Sequence, residues 1–302
     1  MVGKLLLHLK ISRPGLWFPT VWIYLVPFSD QTDFWKAVPF WLGLIFVTFP
    51  LNYLVYGLND YNDIDSDSFN ERKGNYLFGA RASQGDIRGL PLKISLVVAP
   101  FILLFTYLCG LNMFMLLAVM VIFNIVYNFK PFRVKERPPF EILIQAGYVL
   151  TAFFCIELNG LDSLPWQTVT YLSLFAFQAH IAGEIMDIDP DGRAGKKTTA
   201  TLLGRSASKL VMFLLLTVQS FLLWYWFKDV VLAVFLLLFS VWLLIDTFIV
   251  FKDRPYSQRQ MKWFGYAINL AAMVSMIWVL KSGRLLTLDQ GFNIAGWGFP
   301  FH

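Results

Sequence analysis

Long apolar blocks separated by polar connections recur along the whole chain, and they leave few folds open. A run of about 20 apolar residues spans the hydrocarbon core of a bilayer as a helix, and lipid leaves no partner for irregular backbone. The chain therefore reads as an all-α integral membrane protein. Nine candidate spans lie near 16–29, 38–58, 92–109, 111–128, 139–157, 165–186, 208–227, 230–250 and 263–280. The first is short and holds Pro19 and Pro27, which predicts a kink. Composition agrees: 15% of the residues are charged, against about 25% in an ordinary soluble domain. Cys109 and Cys155 sit far apart in or beside apolar runs, which suggests neither a disulfide framework nor a zinc site. Lys4, His8 and Lys10 interrupt the first apolar residues, so no cleavable signal is expected.

Charge distribution orients the spans. Of the 25 Lys and Arg residues, all but Lys36, Lys228, Lys281 and Arg284 fall in the N-terminal segment or in and beside the connections after the second, fourth, sixth and eighth spans. By the positive-inside rule the N-terminus is cytoplasmic and, with an odd number of spans, the C-terminus is outside. The long polar loops 59–91, 129–138 and 187–207 then share the cytoplasmic face, where the active surface is expected.

The first of these loops opens with Asn59-Asp60-Tyr61-Asn62-Asp63-Ile64-Asp65-Ser66-Asp67. Asp60, Asp63 and Asp67 are spaced i, i+3, i+7, so a continuing helix places them on one face beside Asn59, with Asp65 pointing elsewhere. Such crowding of carboxylates at a bilayer is costly without a cation. A hard ion such as Mg²⁺, shared with a substrate phosphate, would offset it. A second cluster, Glu184, Asp187, Asp189 and Asp191, follows the sixth span. Pro190 disfavours a helical Asp189, so the helix is expected to end there, with Asp191 reaching the same space from a turn. Arg72 and Lys73 follow the first cluster, Lys196 and Lys197 the second, and Tyr127, Lys130, Arg133, Lys135 and Arg137 lie between. Such cations suit phosphate oxygens. Arg88, Arg137 and Arg205 read as topology signals. Asn52, Asn124, Gln145, Gln178 and His180 are polar residues inside spans, open to a functional or an interhelical role. Asp246 reads as structural or as lining a water-filled crevice.

At these residues the chain resembles the UbiA superfamily of intramembrane prenyltransferases. The family's N-D-x-x-D-x-x-x-D motif matches Asn59, Asp60, Asp63 and Asp67. Its second acidic motif and G-K-x-T segment are similar to Asp187-Ile188-Asp189-Pro190-Asp191 and Gly195-Lys196-Lys197-Thr198. Its Y-S-x-P-P-x-R-x-K loop resembles the stretch with Tyr127, Pro131, Arg133 and Lys135. The resemblance covers nearly all of residues 1–302 as a single domain. It implies a bundle of nine transmembrane helices around a central cavity capped by cytoplasmic loops, and Mg²⁺-dependent transfer of a prenyl chain from an allylic polyprenyl diphosphate to a lipophilic acceptor. Asn59, Asp60, Asp63 and Asp67 would form one metal–diphosphate site, and Asp187 and Asp191 the other. Arg72, Lys135 and Lys197 would bind diphosphate, with Arg133, Asn52 and Asn124 as further substrate contacts. Tyr127 would lie near the reacting allylic end. Two departures stand out: an extra Lys73–Gly79 stretch before Arg81-Ala82-Ser83-Gln84-Gly85, and Asp189-Pro190 where Glu-Gly is usual. The Asn70–Gly74 run is nearer the carotenoid (lycopene) elongase branch than the quinone branches.

The chemistry these residues support is ionisation of the donor to an allylic cation, with metal and basic groups stabilising the departing diphosphate and aromatic faces shielding the cation. No residue stands out as the base that removes the final proton. The acceptor stays open between an aromatic or quinone precursor and a carotenoid. A transporter that binds cations would carry carboxylates deep inside its spans, whereas here nearly all lie at the cytoplasmic ends. A terpene cyclase remains as another diphosphate enzyme, while the D-G…A-R…G…D…D pattern of head-group transferases is not found. The expected partners are the donor, the acceptor and the lipid bilayer, with no nucleic acid.

Overall fold

Seven segments are helical, long and apolar enough to cross a membrane: Val38–Asn62, Gln84–Cys109, Leu111–Asn128, Phe140–Asn159, Arg205–Phe227, Val230–Val250 and Gln258–Ser282. They mark an integral multi-pass membrane protein, and each corresponds to an expected span. The computed structural model describes residues 2–67 and 69–288, without the side chains of Val2, Lys4, Asp65 and Ser66. The expected orientation of Asp65 and the course of the C-terminal tail beyond residue 288 thus lie outside the described residues. The helices are α1 (Val2–Ile11), α2 (Phe18–Leu25), α3 (Val38–Val47), α4 (Phe49–Asn62), α5 (Ile64–Asp67), α6 (Gln84–Ile87), α7 (Leu90–Cys109) and α8 (Leu111–Asn128). They continue with α9 (Phe140–Leu143), α10 (Leu150–Asn159), α11 (Trp166–Arg193), α12 (Thr199–Leu203), α13 (Arg205–Phe227), α14 (Val230–Ile245) and α15 (Gln258–Ser282). Among the described residues there is no strand, only an isolated antiparallel bridge between Asn75 and Gly79.

The two other expected spans differ from the seven for separate reasons. The first is the short apolar piece Phe18–Phe28, in which α2 passes into a 3₁₀ turn that carries Pro27 near its start. The sixth is α11, the longest helix at 28 residues, about 40 Å at 1.5 Å per residue. Its sequence includes Gln178, His180 and Glu184, which line the interior cavity and dilute its apolar character. Pro50 opens α4 and Pro91 opens α7, positions where no N–H is needed, whereas Pro100 lies within α7.

Two large apolar clusters build most of the core, and a third, small one gathers Leu77, Phe78 and Met261. One large cluster joins α2, α3, α4, α7, α8 and α10 through rings such as Phe46, Phe105 and Phe154. The other joins α2, α11, α13, α14 and α15 through Trp22, Leu172, Phe227 and Val279. Gly43 lets Tyr24 approach α3, since a Cβ there would sit 2.2 Å from the hydroxyl. Between the clusters lies a cavity of about 440 Å³.

The stretch after α5 contributes Asn70, Arg72, Lys73 and Phe78 to the cavity lining. Gly74 (φ 107°) and Gly79 (φ 100°) make the turns that close the Asn75–Gly79 bridge, conformations that suit glycine. At the tip of this turn, Leu77 packs between Gly15 and Gly265, where a Cβ would come within 2.7 and 2.5 Å of it. The extra Lys73–Gly79 residues therefore pin the loop between the N-terminal segment and α15.

Asp246 begins a π-helical turn, Asp246–Val250. It is buried, 2.6 Å from Lys209 Nζ and hydrogen-bonded by Tyr256 Oη at 2.5 Å. This is a closed structural pair. Arg205, read from sequence as a topology signal, is instead buried, bonding Asp189 Oδ2 and the Asp253 carbonyl at 3.0 Å each.

Candidate active site

The first acidic motif does not continue one helix. α4 stops at Asn62, and Asp63 leaves helical geometry (φ −114°, ψ 13°). The chain re-enters a helical turn in α5, stitched by the Asp67 N–H to the Asp63 carbonyl at 2.8 Å. Asn59, Asp63 and Asp67 line the cavity. Asp60 does not; its Oδ1 accepts from Arg13 and Lys73, both at 2.7 Å, behind the cavity wall. Asp60, expected among the metal-site residues, thus lies outside the cavity lining and anchors Arg13 and Lys73.

The second motif also differs from expectation, in the opposite sense. α11 runs through Pro190 to Arg193 instead of ending at Asp189. Pro190 sits in the last turn, and helical bonds resume with the Ala194 N–H to the Pro190 carbonyl at 3.0 Å. Asp187 and Asp191 thus share one helical face and both line the cavity, while Asp189 turns away to Arg205.

Protein cations tie the two motifs together. Lys135 Nζ donates to Asp63 Oδ1 at 2.6 Å and to Asn59 Oδ1 and Asn128 Oδ1 at 3.3 Å each. Lys196 Nζ lies 3.0 Å from Asp63 Oδ2 and 3.3 Å from Asp191 Oδ1, so one ammonium bridges both motifs. Lys73 also bonds Asp67, and Arg72 bonds Asp187. Asn70 donates to Asp187 at 2.9 Å. Arg72 is further steadied by the face of Phe78, 5.1 Å away.

Local structure decides which lysine faces inward. Thr198 caps α12 with a reciprocal Thr198–Thr201 box. Glu141 accepts the Thr199 N–H at 2.7 Å and Glu184 the Ala200 N–H at 3.1 Å, placing two carboxylates at the helix start. With α12 fixed, Lys196 points into the cavity and Lys197 is exposed outside it. Lys197, expected at the diphosphate, is therefore outside the cavity lining, and Lys196 is within it.

The electrostatics are uneven. Burial opposes ionisation of Asp63, but Lys135 and Lys196 overcome it and hold the carboxyl below its usual range. Burial lowers Lys135, with Asp63 opposing. Burial raises Asp67, Asp60 adds to it, and Lys73 only partly offsets the rise. Asp191 is pushed up to about 6 by burial and the neighbouring Asp187, against the pull of Lys196.

Other expected contacts divide. Tyr127 and Asn124 line the cavity. Asn52 does not; it is fully buried, and its amide donates to Thr20 Oγ1 and to the Val47 and Thr48 carbonyls at 2.8–2.9 Å. It clamps the break between α3 and α4. Arg133 is also outside the lining, held by Glu136 at 2.8 Å and reaching only to 3.7 Å from Asp63. Arg13 was missed. Its guanidinium lies under the Tyr56 ring at 4.6 Å and lines the cavity. The sequence signal was an arginine in the short polar step before the first apolar run.

Among the described residues, no three His, Cys, Asp or Glu side chains form a ready metal cage. The donor chemistry nevertheless suits Mg²⁺. Asn59, Asp63, Asp67, Asp187 and Asp191 present only oxygen donors to one cavity. Mg²⁺ characteristically takes one or two carboxylates and completes its shell with water and substrate phosphates. The bridging position of Lys196 also marks a place where positive charge is already favoured.

Residues 16–272 match the UbiA prenyltransferase family, and the chain belongs to it. Relatives include the lycopene elongase/hydratase of Corynebacterium glutamicum, 29% identical over 228 residues, covering 72% of this chain and 77% of that protein. The lycopene elongase/hydratase of Haloarcula japonica is 32% identical over 205 residues, covering 66% and 67%. A UbiA homolog from Archaeoglobus fulgidus, solved with GPP and Mg²⁺, superposes with a TM-score of 0.65 at 19% identity, over 90% of this chain and 99% of that one. The protein is a membrane-embedded prenyltransferase with the UbiA fold.

Proposed function

We propose that the chain transfers a prenyl group from an allylic polyprenyl diphosphate to a hydrocarbon acceptor of the carotenoid type, with Mg²⁺ joining its two acidic motifs. One observation carries this reading. Carboxylates and cations gather at one end of a cavity whose remaining wall includes Phe18, Trp22, Phe123, Phe175, Phe235 and Phe239. Its cavity-lining Lys and Arg residues, Arg13, Arg72, Lys73, Lys135 and Lys196, all belong to the ion-pair network at the acidic end, or stand beside it. An aromatic acid would need a cation deeper in. A hydrocarbon needs none, and the names of the elongase relatives favour it.

Asn59, Asp63, Asp67, Asp187 and Asp191 would hold Mg²⁺, whose chemistry is to neutralise charge growing on the departing diphosphate. Arg72, Lys73, Lys135 and Lys196 exchange their carboxylate partners for phosphate oxygens and orient the donor. Tyr127 and the apolar wall exclude water and face the allylic carbon as its C–O bond breaks. Residues 1–302 act as one domain. The reading uses nine crossings, with Phe18–Phe28 and α11 completing the seven, the N-terminus and the site on the cytoplasmic side and the C-terminus outside. The confinement of Lys and Arg to alternate connections supports that orientation.

Purified protein with Mg²⁺ and geranyl diphosphate should release pyrophosphate and alkylate lycopene. Alkylation of 4-hydroxybenzoate in place of lycopene would reject the acceptor assignment.

A further inference from the structure

Two helical turns from Asp187, α11 carries His180 on the cavity wall, and none of the steps above uses it. Its Nε2 stands 3.0 Å from Glu184 Oε1, one turn along the same helix. Glu184 is itself fixed, since its other oxygen accepts the Ala200 N–H at 3.1 Å. The pair is largely withdrawn from solvent, with side chains 19% and 6% exposed. Across the cavity the ring meets Tyr127 edge to face, 6.2 Å between centroids and 78° between planes.

His180 Nε2 and Glu184 Oε1 are aligned for no hydrogen bond, and among the described residues neither has another hydrogen-bond partner, but a fixed carboxylate this close stabilises the imidazolium that forms when the other ring nitrogen, Nδ1, takes a proton. Among the described residues Nδ1 makes no hydrogen bond. The position along the helix also fits. Seven residues separate His180 from Asp187, about 10 Å along the axis and on the same face. A diphosphate held between Asp187, Asp191 and the lysines covers part of that distance. The carbon whose C–O bond breaks, and the acceptor beside it, lie further in, toward His180 and Tyr127.

We propose that His180, oriented by Glu184, is the base that removes the proton from the prenylated acceptor. The inference rests on the prenyltransferase reading. The donor C–O bond breaks and its electron pair leaves with the diphosphate. A π pair of the acceptor forms the new C–C bond to the allylic carbon, leaving a cation on the acceptor. Nδ1 takes a proton from the carbon next to that cation, and the C–H electron pair restores the double bond. The imidazolium then passes its proton to the released diphosphate or to water. Glu184 is a positioning residue in this scheme.

The test compares full-length wild type, His180→Gln and Glu184→Gln in lipid discs with Mg²⁺ and geranyl diphosphate. The acceptor is whichever of lycopene and 4-hydroxybenzoate the wild type prenylates. Pyrophosphate, prenylated acceptor and prenyl alcohol are all measured. Loss of the base should cut prenylated product by about 10²-fold, while pyrophosphate release falls far less and prenyl alcohol makes up the difference. Glu184→Gln should show the same partition more weakly, and it keeps the test alive if His180→Gln does not fold. An unchanged ratio of product to pyrophosphate in both variants overturns the proposal. So does a parallel fall of both with weakened donor binding, which marks a structural role. A wild type that releases pyrophosphate but prenylates neither acceptor refutes the transfer reading, and the inference with it.

Discussion

The two acidic ends that face each other across the cavity are built by opposite means. The first is a broken helix with buried carboxylates: Asp60 and Asp63 are 1% and 6% exposed and share Arg13, Lys73, Lys135 and Lys196. The second is an unbroken helix that carries its proline in the last turn. Asp187 and Asp191 there are more open, and each has one charged partner, Arg72 or Lys196. The first end is neutralised by the protein itself. At the second, burial and the neighbouring Asp187 push Asp191 up to about 6, and Lys196 only partly offsets them. On the proposed reading a divalent cation would stabilise the second end most, and Lys196 is the residue already shared between them.

The largest effect expected from this contrast is at Asp63. Asp63→Asn leaves Lys135 and Lys196 without their main partner, and removing one member of a buried pair costs about 3–5 kcal/mol. Turnover should fall by on the order of 10³-fold, with a clear drop in melting temperature by fluorimetry. Asp191→Asn should also lose turnover, by on the order of 10²-fold, yet keep or raise the melting temperature. If both variants melt alike, the contrast between the ends is wrong.

The pH profile sharpens the same point. Asp191, held at about 6, binds its proton more tightly in the folded chain than in the unfolded one, where a carboxyl titrates near 3.9. Its contribution to stability is greatest below the unfolded value and is lost as pH rises from about 4 to about 6. Metal-dependent turnover runs the other way and should decline below pH 6, measured as kcat/KM for the donor. Asp191→Asn should remove that acid limb.

A smaller effect separates the neighbouring lysines. Lys196→Ala should weaken donor binding about tenfold, the loss of roughly one charge-assisted hydrogen bond, while Lys197→Ala should leave it unchanged by calorimetry. Smallest for function is Asn52→Ala. It should cost about 1–3 kcal/mol of stability through the buried groups it leaves unpaired, with donor affinity as in the wild type.

Much of this was legible in the sequence, because apolar run length and carboxylate spacing act locally. The seven long apolar helices and the clustering of Asn59, Asp63, Asp67, Asp187 and Asp191 follow from such signals. What was not legible depends mostly on contacts distant in sequence. Asp60 leaves the cavity because Arg13, 47 residues earlier, claims it. Lys196 rather than Lys197 faces inward because Glu141 and Glu184 fix α12. Pro190 was read as a stop, but its missing N–H is tolerated in the last turn of α11, where the following N–H of Ala194 resumes the bonding. The role of the Lys73–Gly79 insertion depends on Leu77 fitting between Gly15 and Gly265, two glycines far apart in the chain.

The central claim is that the two acidic ends act as one Mg²⁺-dependent diphosphate site. Pyrophosphate release from geranyl diphosphate, followed with and without Mg²⁺ in wild type, Asp63→Ala and Asp191→Ala, tests it directly. The account predicts Mg²⁺-dependent release in the wild type and its loss when either end is altered. Equal release in the wild type and in either variant would contradict it.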